Sequence, residues 1–178
     1  KIDYSKNIVF TDGTPISFIT NALKRANISK VYDVEKDTFR NGGHIFHIHT
    51  NSLDIAFYDK VEDLKQSLKS PKRAFEKDCF TQQDLISVFN ENRKISVLRV
   101  EIRLNSKKQI RSMLERVEVP SDDLSFAHLF SSDISRKVID YHWQRILEKT
   151  PKAQLDYVNA ENIIVKLLQN DEVKPMNL

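Results

Sequence analysis

Residues 44–60 read HIFHIHTNSLDIAFYDK. Alternate side chains of a strand share a face. In 44–49, Phe46 and Ile48 point one way, and His47 and His49 the other. In 53–60, Leu53, Ile55 and Phe57 share a face, while Asp54, Ala56, Tyr58 and Lys60 share the opposite one. Thr50-Asn51-Ser52 is a short polar, hairpin-like connection, and Asn41-Gly42-Gly43 upstream is a tight-turn signal. The stretch therefore reads as two adjacent strands, each with an apolar and a polar face. His44 falls on the other face, close to the turn, and is not a ligand candidate.

The same pattern returns at 95–104, ISVLRVEIRL, the cleanest strand in the chain. Leu98, Val100, Ile102 and Leu104 form its apolar face, and Arg99, Glu101 and Arg103 its polar one. Residues 2–10 and 30–36 also read as strands. Thr14-Pro15 predicts a helix start, with Ile16, Ile19, Ala22, Leu23 and Ala26 at helical spacing. A helix is expected from near Val61 to before Pro71, with Glu62 and Asp63 suited to the positive end of its dipole. Thr81 to Asp84 resembles a capping box opening a helix to Asn90, and Ser106 caps another to about Glu118, before Pro120. Further helices are expected over about 133–149 and 160–170. The order predicts an α+β fold: an antiparallel-rich sheet with helices on one face, followed by a helical C-terminal region. We expect an α+β sheet domain over 1–120 and a helical extension over 121–178.

Composition fits a folded domain. Among 178 residues, 40% are hydrophobic and 30% charged, which excludes a disordered chain. No apolar run approaches the ~20 residues of a membrane span, and no signal peptide is visible. The single cysteine, Cys79, excludes an internal disulfide or a multi-cysteine zinc site, and fits a reducing cytoplasm. A net charge of +3 permits nucleic-acid contact without requiring it.

If the apolar faces pack on the helices, the polar faces coincide. The competing reading is a face that is merely solvated, since antiparallel sheets often expose one side. The residue types argue for chemistry. Two imidazoles at i, i+2 project side by side, and a carboxylate from a neighbouring strand, Asp54 or Glu101, supplies a third ligand. That set suits a divalent cation, Mn²⁺ or the harder Mg²⁺, in a protein that acts on phosphates. The competing reading is a pair of strand histidines with no ligand.

The stretch GGHIFHIHTNSLDIAFYDKVEDLKQS, then SPKRAFEKD and VLRVEIRLNSKKQIRSML, resembles the replication-initiation proteins of filamentous phages and rolling-circle plasmids, the gene II protein group. The resemblance rests on Thr50-Asn51-Ser52 through Tyr58-Asp59-Lys60, on Asp63-Leu64, and on the strand from Leu98 to Leu104. It covers about residues 42–116. It implies an enzyme that nicks one strand of DNA. A tyrosine attacks a phosphodiester, leaving a 5′-phosphotyrosine and a free 3′-OH, and a metal held by a His-hydrophobic-His strand polarises the phosphate. His47-Ile48-His49 fits that element.

In proteins of this kind the nucleophile lies on a helix downstream, which points to Tyr141, flanked by Lys137 and Arg145. The competing reading of Tyr141 is plain core. Tyr58 is the alternative, Tyr157 a third, and Lys60 a further catalytic candidate in the YDK motif. Arg99, Arg103, Lys72, Arg73, Lys107 and Lys108 are the expected DNA contacts, with Lys65, Lys69 and Arg111 beside them. Phe75 and Phe80 either stack on bases or fill core. The expected partner is single-stranded or origin DNA, with host replication proteins as further partners. The alternatives are a non-catalytic DNA-binding domain on the same scaffold and a protein-binding domain whose polar strands are only surface.

Overall fold

The computed structural model describes residues 1–32, 37–50, 53–76 and 95–149. Five antiparallel strands form one sheet in the order β1-β5-β4-β3-β2. They are β1 (Ile2–Phe10), β2 (Asp37–Arg40), β3 (Ile45–His49), β4 (Leu53–Asp59) and β5 (Ser96–Leu104). The β3–β4 hairpin explains how local chemistry sets register. The Thr50 amide donates to the Leu53 carbonyl at 2.9 Å, and the Leu53 amide donates to Thr50 Oγ1 at 2.8 Å. That closure puts His49 opposite Asp54, His47 opposite Ala56 and Ile45 opposite Tyr58. A slip of one residue would turn every one of these side chains over. At the β2–β3 turn Gly42 has φ +64°, a conformation that disfavours a Cβ.

The apolar face carries the core. Phe46, Ile48, Ile55, Phe57, Leu98 and Ile102 are almost wholly buried. Phe46 and Phe57, directly opposite each other, stack with ring centroids 6.2 Å apart. Three helices complete this layer: α1 (Ile16–Arg25), α4 (Lys107–Arg116) and α6 (Ser132–Lys149). Ile16, Ile19 and Leu23 enter from α1, Ile110, Met113 and Leu114 from α4, and Ile134, Val138, Ile139, Trp143 and Ile146 from α6. Residues 121–149, expected to form an extension, thus supply helices to the core of the sheet. The fold is α+β, as its pattern implied. Two short helices, α3 (Pro71–Glu76) and α5 (Phe126–Leu129), join the longer ones.

The remaining helix, α2 (Lys60–Ser67), follows β4 at once. Asp59 caps it by accepting the Glu62 amide at 3.0 Å. It packs against β4 and β5, and its buried Val61 and Leu64 stand apart from the main core.

Two local expectations change. Residues 30–32, expected to begin a strand, lie in a 3₁₀ turn (Ile28–Tyr32). Val31 and Tyr32 are adjacent and both buried, as a tight helical turn packed on the core permits. Thr14 does not cap α1: its hydroxyl donates to Asp12 at 2.8 Å, and the N-cap position is Pro15. The helices expected at 81–90 and 160–170 lie outside the described residues. No described helix is long and apolar enough to cross a membrane.

Candidate metal centre

The register builds the polar face in cross-strand rows. One row runs Asp3, Arg103, Asp54, His49; the next runs Ser5, Glu101, Ala56, His47; a third runs Asn7, Arg99, Tyr58, Ile45. Residues from β3 and β4 therefore meet at the first two rows. His47, His49 and Asp54 each offer a ligand atom, and these atoms lie within 4.8 Å of one another. Ligands held at about 2.1 Å from one ion stand up to about 4.2 Å apart, close to this spread. The three residues could hold a metal ion.

Asp54 organises the set. Its Oδ1 is hydrogen-bonded to His49 Nδ1 and lies 4.0 Å from His47 Nε2. Its Oδ2 accepts a hydrogen bond from Asn105 Nδ2 at 3.4 Å. The His47 and His49 rings meet edge-on with centroids 5.9 Å apart. His47 Nε2 is shielded from water and has no hydrogen-bond partner. Burial holds the His47 pKa below the ordinary histidine value, with Asp54 opposing it. A neutral imidazole with an unused lone pair is the form in which histidine binds metal. The donor set thus fits a divalent cation.

Glu101, the other expected ligand, is engaged elsewhere. Its carboxylate accepts from Arg103 Nε and from the Tyr58 hydroxyl, both at 2.8 Å, and Arg99 Nε lies 3.6 Å away. Burial acts to raise its pKa, but the Arg103 and Tyr58 hydrogen bonds and the two guanidinium charges bring it below the usual carboxylate value. Burial, then the Glu101 charge, pushes the Tyr58 phenol well above its ordinary value. Arg99, Arg103, Glu101 and Tyr58 form one network, and within the second row only the small Ala56 stands between Glu101 and His47.

Tyr141 is not brought to this face. It sits on α6, on the core side of the sheet, where its hydroxyl accepts from Arg116 at 2.9 Å and its ring packs on His142. The core reading of Tyr141 matches this placement. Among the described residues Tyr58 is the tyrosine on the triad's face; Tyr157 lies outside them. Lys60 opens α2 and pairs with Asp63 at 3.9 Å, so the chain leaves the strand just before it. His44 hydrogen-bonds Asp59 at 3.2 Å, away from the triad.

Of the expected DNA contacts, Arg99 and Arg103 lie on the triad's face. Lys107 and Lys108 are exposed in the first turn of α4, and Lys72 is exposed in α3. The Arg73 side chain and Phe80 lie outside the described residues. Phe75 is exposed. The residue that sequence reading passed over is Asn105. The alternation of 99, 101 and 103 continues to it, and that signal places it on the polar face beside Asp54. No family model, curated protein or solved structure matches the chain.

Proposed function

We propose that this chain is a metal-dependent DNA-nicking domain that acts on a phosphodiester of single-stranded DNA, in the manner of a rolling-circle replication initiator. The observation that carries the reading is the His47–His49–Asp54 group beside a buried tyrosine–carboxylate–arginine network on one sheet face. Mn²⁺ or Mg²⁺, held by His47, His49 and Asp54, would neutralise charge developing on the phosphoryl oxygens. The two-imidazole set favours Mn²⁺ over the harder Mg²⁺.

The nucleophile assigned on this face is Tyr58. Its Oη forms a bond to phosphorus as the P–O3′ bond breaks. The phenolic proton passes to Glu101, and the departing O3′ takes a proton from solvent. Arg99 and Arg103 would hold the DNA backbone. Lys107 and Lys108 support an anionic partner in a second way. They occupy the first turn of α4, which carries no acid, where cations oppose the helix dipole by about 0.3–1 kcal/mol. A phosphate there would turn that repulsion to use.

A second reading, a DNA-binding domain without catalysis, is favoured by the same dyad. A phenol pushed up and a carboxylate pulled down make proton transfer between them uphill. The test is a labelled single-stranded DNA pool incubated with Mn²⁺. The nickase reading expects a covalent protein–DNA adduct that His47→Ala/His49→Ala and Tyr58→Phe abolish and Tyr141→Phe leaves intact. Salt-sensitive DNA binding with no adduct under Mn²⁺ or Mg²⁺ establishes the binding-domain reading instead.

A further inference from the structure

The strand alternation that brings Glu101 and Arg103 to the polar face does not stop at the end of β5. Asn105 is the next odd residue, and its side chain reaches back across to β4. Its Nδ2 donates to Asp54 Oδ2 at 3.4 Å, while Asp54 Oδ1 faces both histidines. One oxygen of the carboxylate is thereby tied, and the other is presented to the site.

The Asn105 amide is itself anchored through the chain. Ser106 and Gln109 form a capping box at the start of α4. Gln109 Oε1 accepts the backbone N–H groups of Asn105 at 2.7 Å and of Ser106 at 2.9 Å, and Ser106 Oγ accepts the Gln109 amide at 3.3 Å. These bonds fix the turn that leaves β5, and with it the position of residue 105. Asp54 is buried, and its carboxylate is hydrogen-bonded to His49 through one oxygen and to Asn105 through the other.

From this geometry we infer that Asn105 is a positioning residue for the metal centre, holding Asp54 as a ligand through a single oxygen, with the α4 capping box as its anchor. The inference rests on the metal-site reading of His47, His49 and Asp54. Outer partners that orient a metal ligand are worth about 10–100-fold in affinity. An amide donor on the distal oxygen favours ligation through the other oxygen alone, so the protein supplies three ligand atoms and the other coordination positions stay open to substrate oxygens. Asn105 thus supports binding by orienting Asp54, without touching the ion.

The experiment is calorimetric titration of the full chain with MnCl₂, beside thermal unfolding of each metal-free variant. Asn105→Ala is expected to weaken Mn²⁺ binding by about 10–100-fold while the metal-free chain still unfolds in one cooperative transition. Gln109→Ala keeps the amide but loosens the turn, and is expected to weaken binding by a smaller factor. The inference is overturned if Asn105→Ala binds Mn²⁺ within about twofold of the native chain while His47→Ala/His49→Ala has lost binding, since a real outer partner costs at least about tenfold. It is also overturned if Gln109→Ala weakens binding as much as Asn105→Ala, which would credit the turn and not the amide. A native chain that binds no Mn²⁺, or binds it equally well without His47 and His49, removes the metal-site reading and this inference together.

Discussion

The two faces of the sheet are built from the same strands, one residue out of step, and both are substantially buried. On one face Phe46, Phe57, Leu98 and Ile102 are buried because apolar area drives them there. On the other, Asp54 and Glu101 are also buried, at 8% and 5% exposure. A merely solvated face would leave carboxylates in water, where they cost nothing. Burying a charge is expensive unless it is paired. Glu101 meets that cost with Arg103, Arg99 and Tyr58, whereas Asp54 has two histidines and an amide. The difference teaches that one face is organised by area and the other by specific partners, and each should respond to its own kind of perturbation.

The largest stability effect is expected on the apolar face. Phe57→Ala deletes a fully buried ring stacked on Phe46 and should cost about 3–5 kcal/mol in chemical denaturation. A loss below about 1 kcal/mol would mean the core is not organised around this pair. On the polar face, Glu101→Gln keeps the shape but takes from Arg103 its close carboxylate, leaving Asp3 at 3.9 Å, and should cost about 1–3 kcal/mol. It should also change acid sensitivity. The folded Glu101 pKa lies below its unfolded value, so its contribution is present above that value, about 4.3, and is lost as pH falls through the folded pKa. Glu101→Gln should lack that loss.

The core face has its own pH signature. His142 is buried, and burial, followed by the Arg145 and Arg116 charges, pulls its pKa down to about 3. An unfolded histidine titrates near about 6.5. Between these values the unfolded chain binds more protons, so stability should fall as pH drops through that window and be fully present above it. His142→Phe should flatten the profile over the same range, measured as denaturation midpoint against pH. The smallest effect belongs to neither face. Glu118, just after α4, has φ +57°, where the Val119 amide closes on the Leu114 carbonyl at 2.9 Å. Glu118→Gly should raise stability by about 1 kcal/mol by relieving the left-handed conformation.

Much of this was legible in the residues. Period-two alternation in 44–60 and 95–104 placed three strands and both of their faces, because a half-buried strand must alternate. The helix at Ser106 was legible from its cap. His47, His49 and Asp54 were legible as a group because alternation put them on the polar faces of two strands joined by a short connection. Tyr141 was different: spacing on a helix says which side chains align, not which side of a sheet the helix covers. Asn105 was missed because the eye stops at the last apolar residue of a strand. Val31-Tyr32 misled because an alternating charge pattern, KVYDVEK, hid two consecutive buried side chains.

The central claim is that the polar face, not the α6 side, is the metal face. Paramagnetic broadening of backbone amide NMR signals by substoichiometric Mn²⁺ tests it most directly. The account predicts broadening centred on His47, His49, Asp54 and Asn105, abolished by His47→Ala/His49→Ala, with the amides around Tyr141 retained. Broadening centred on other acids, or none at all, would contradict it.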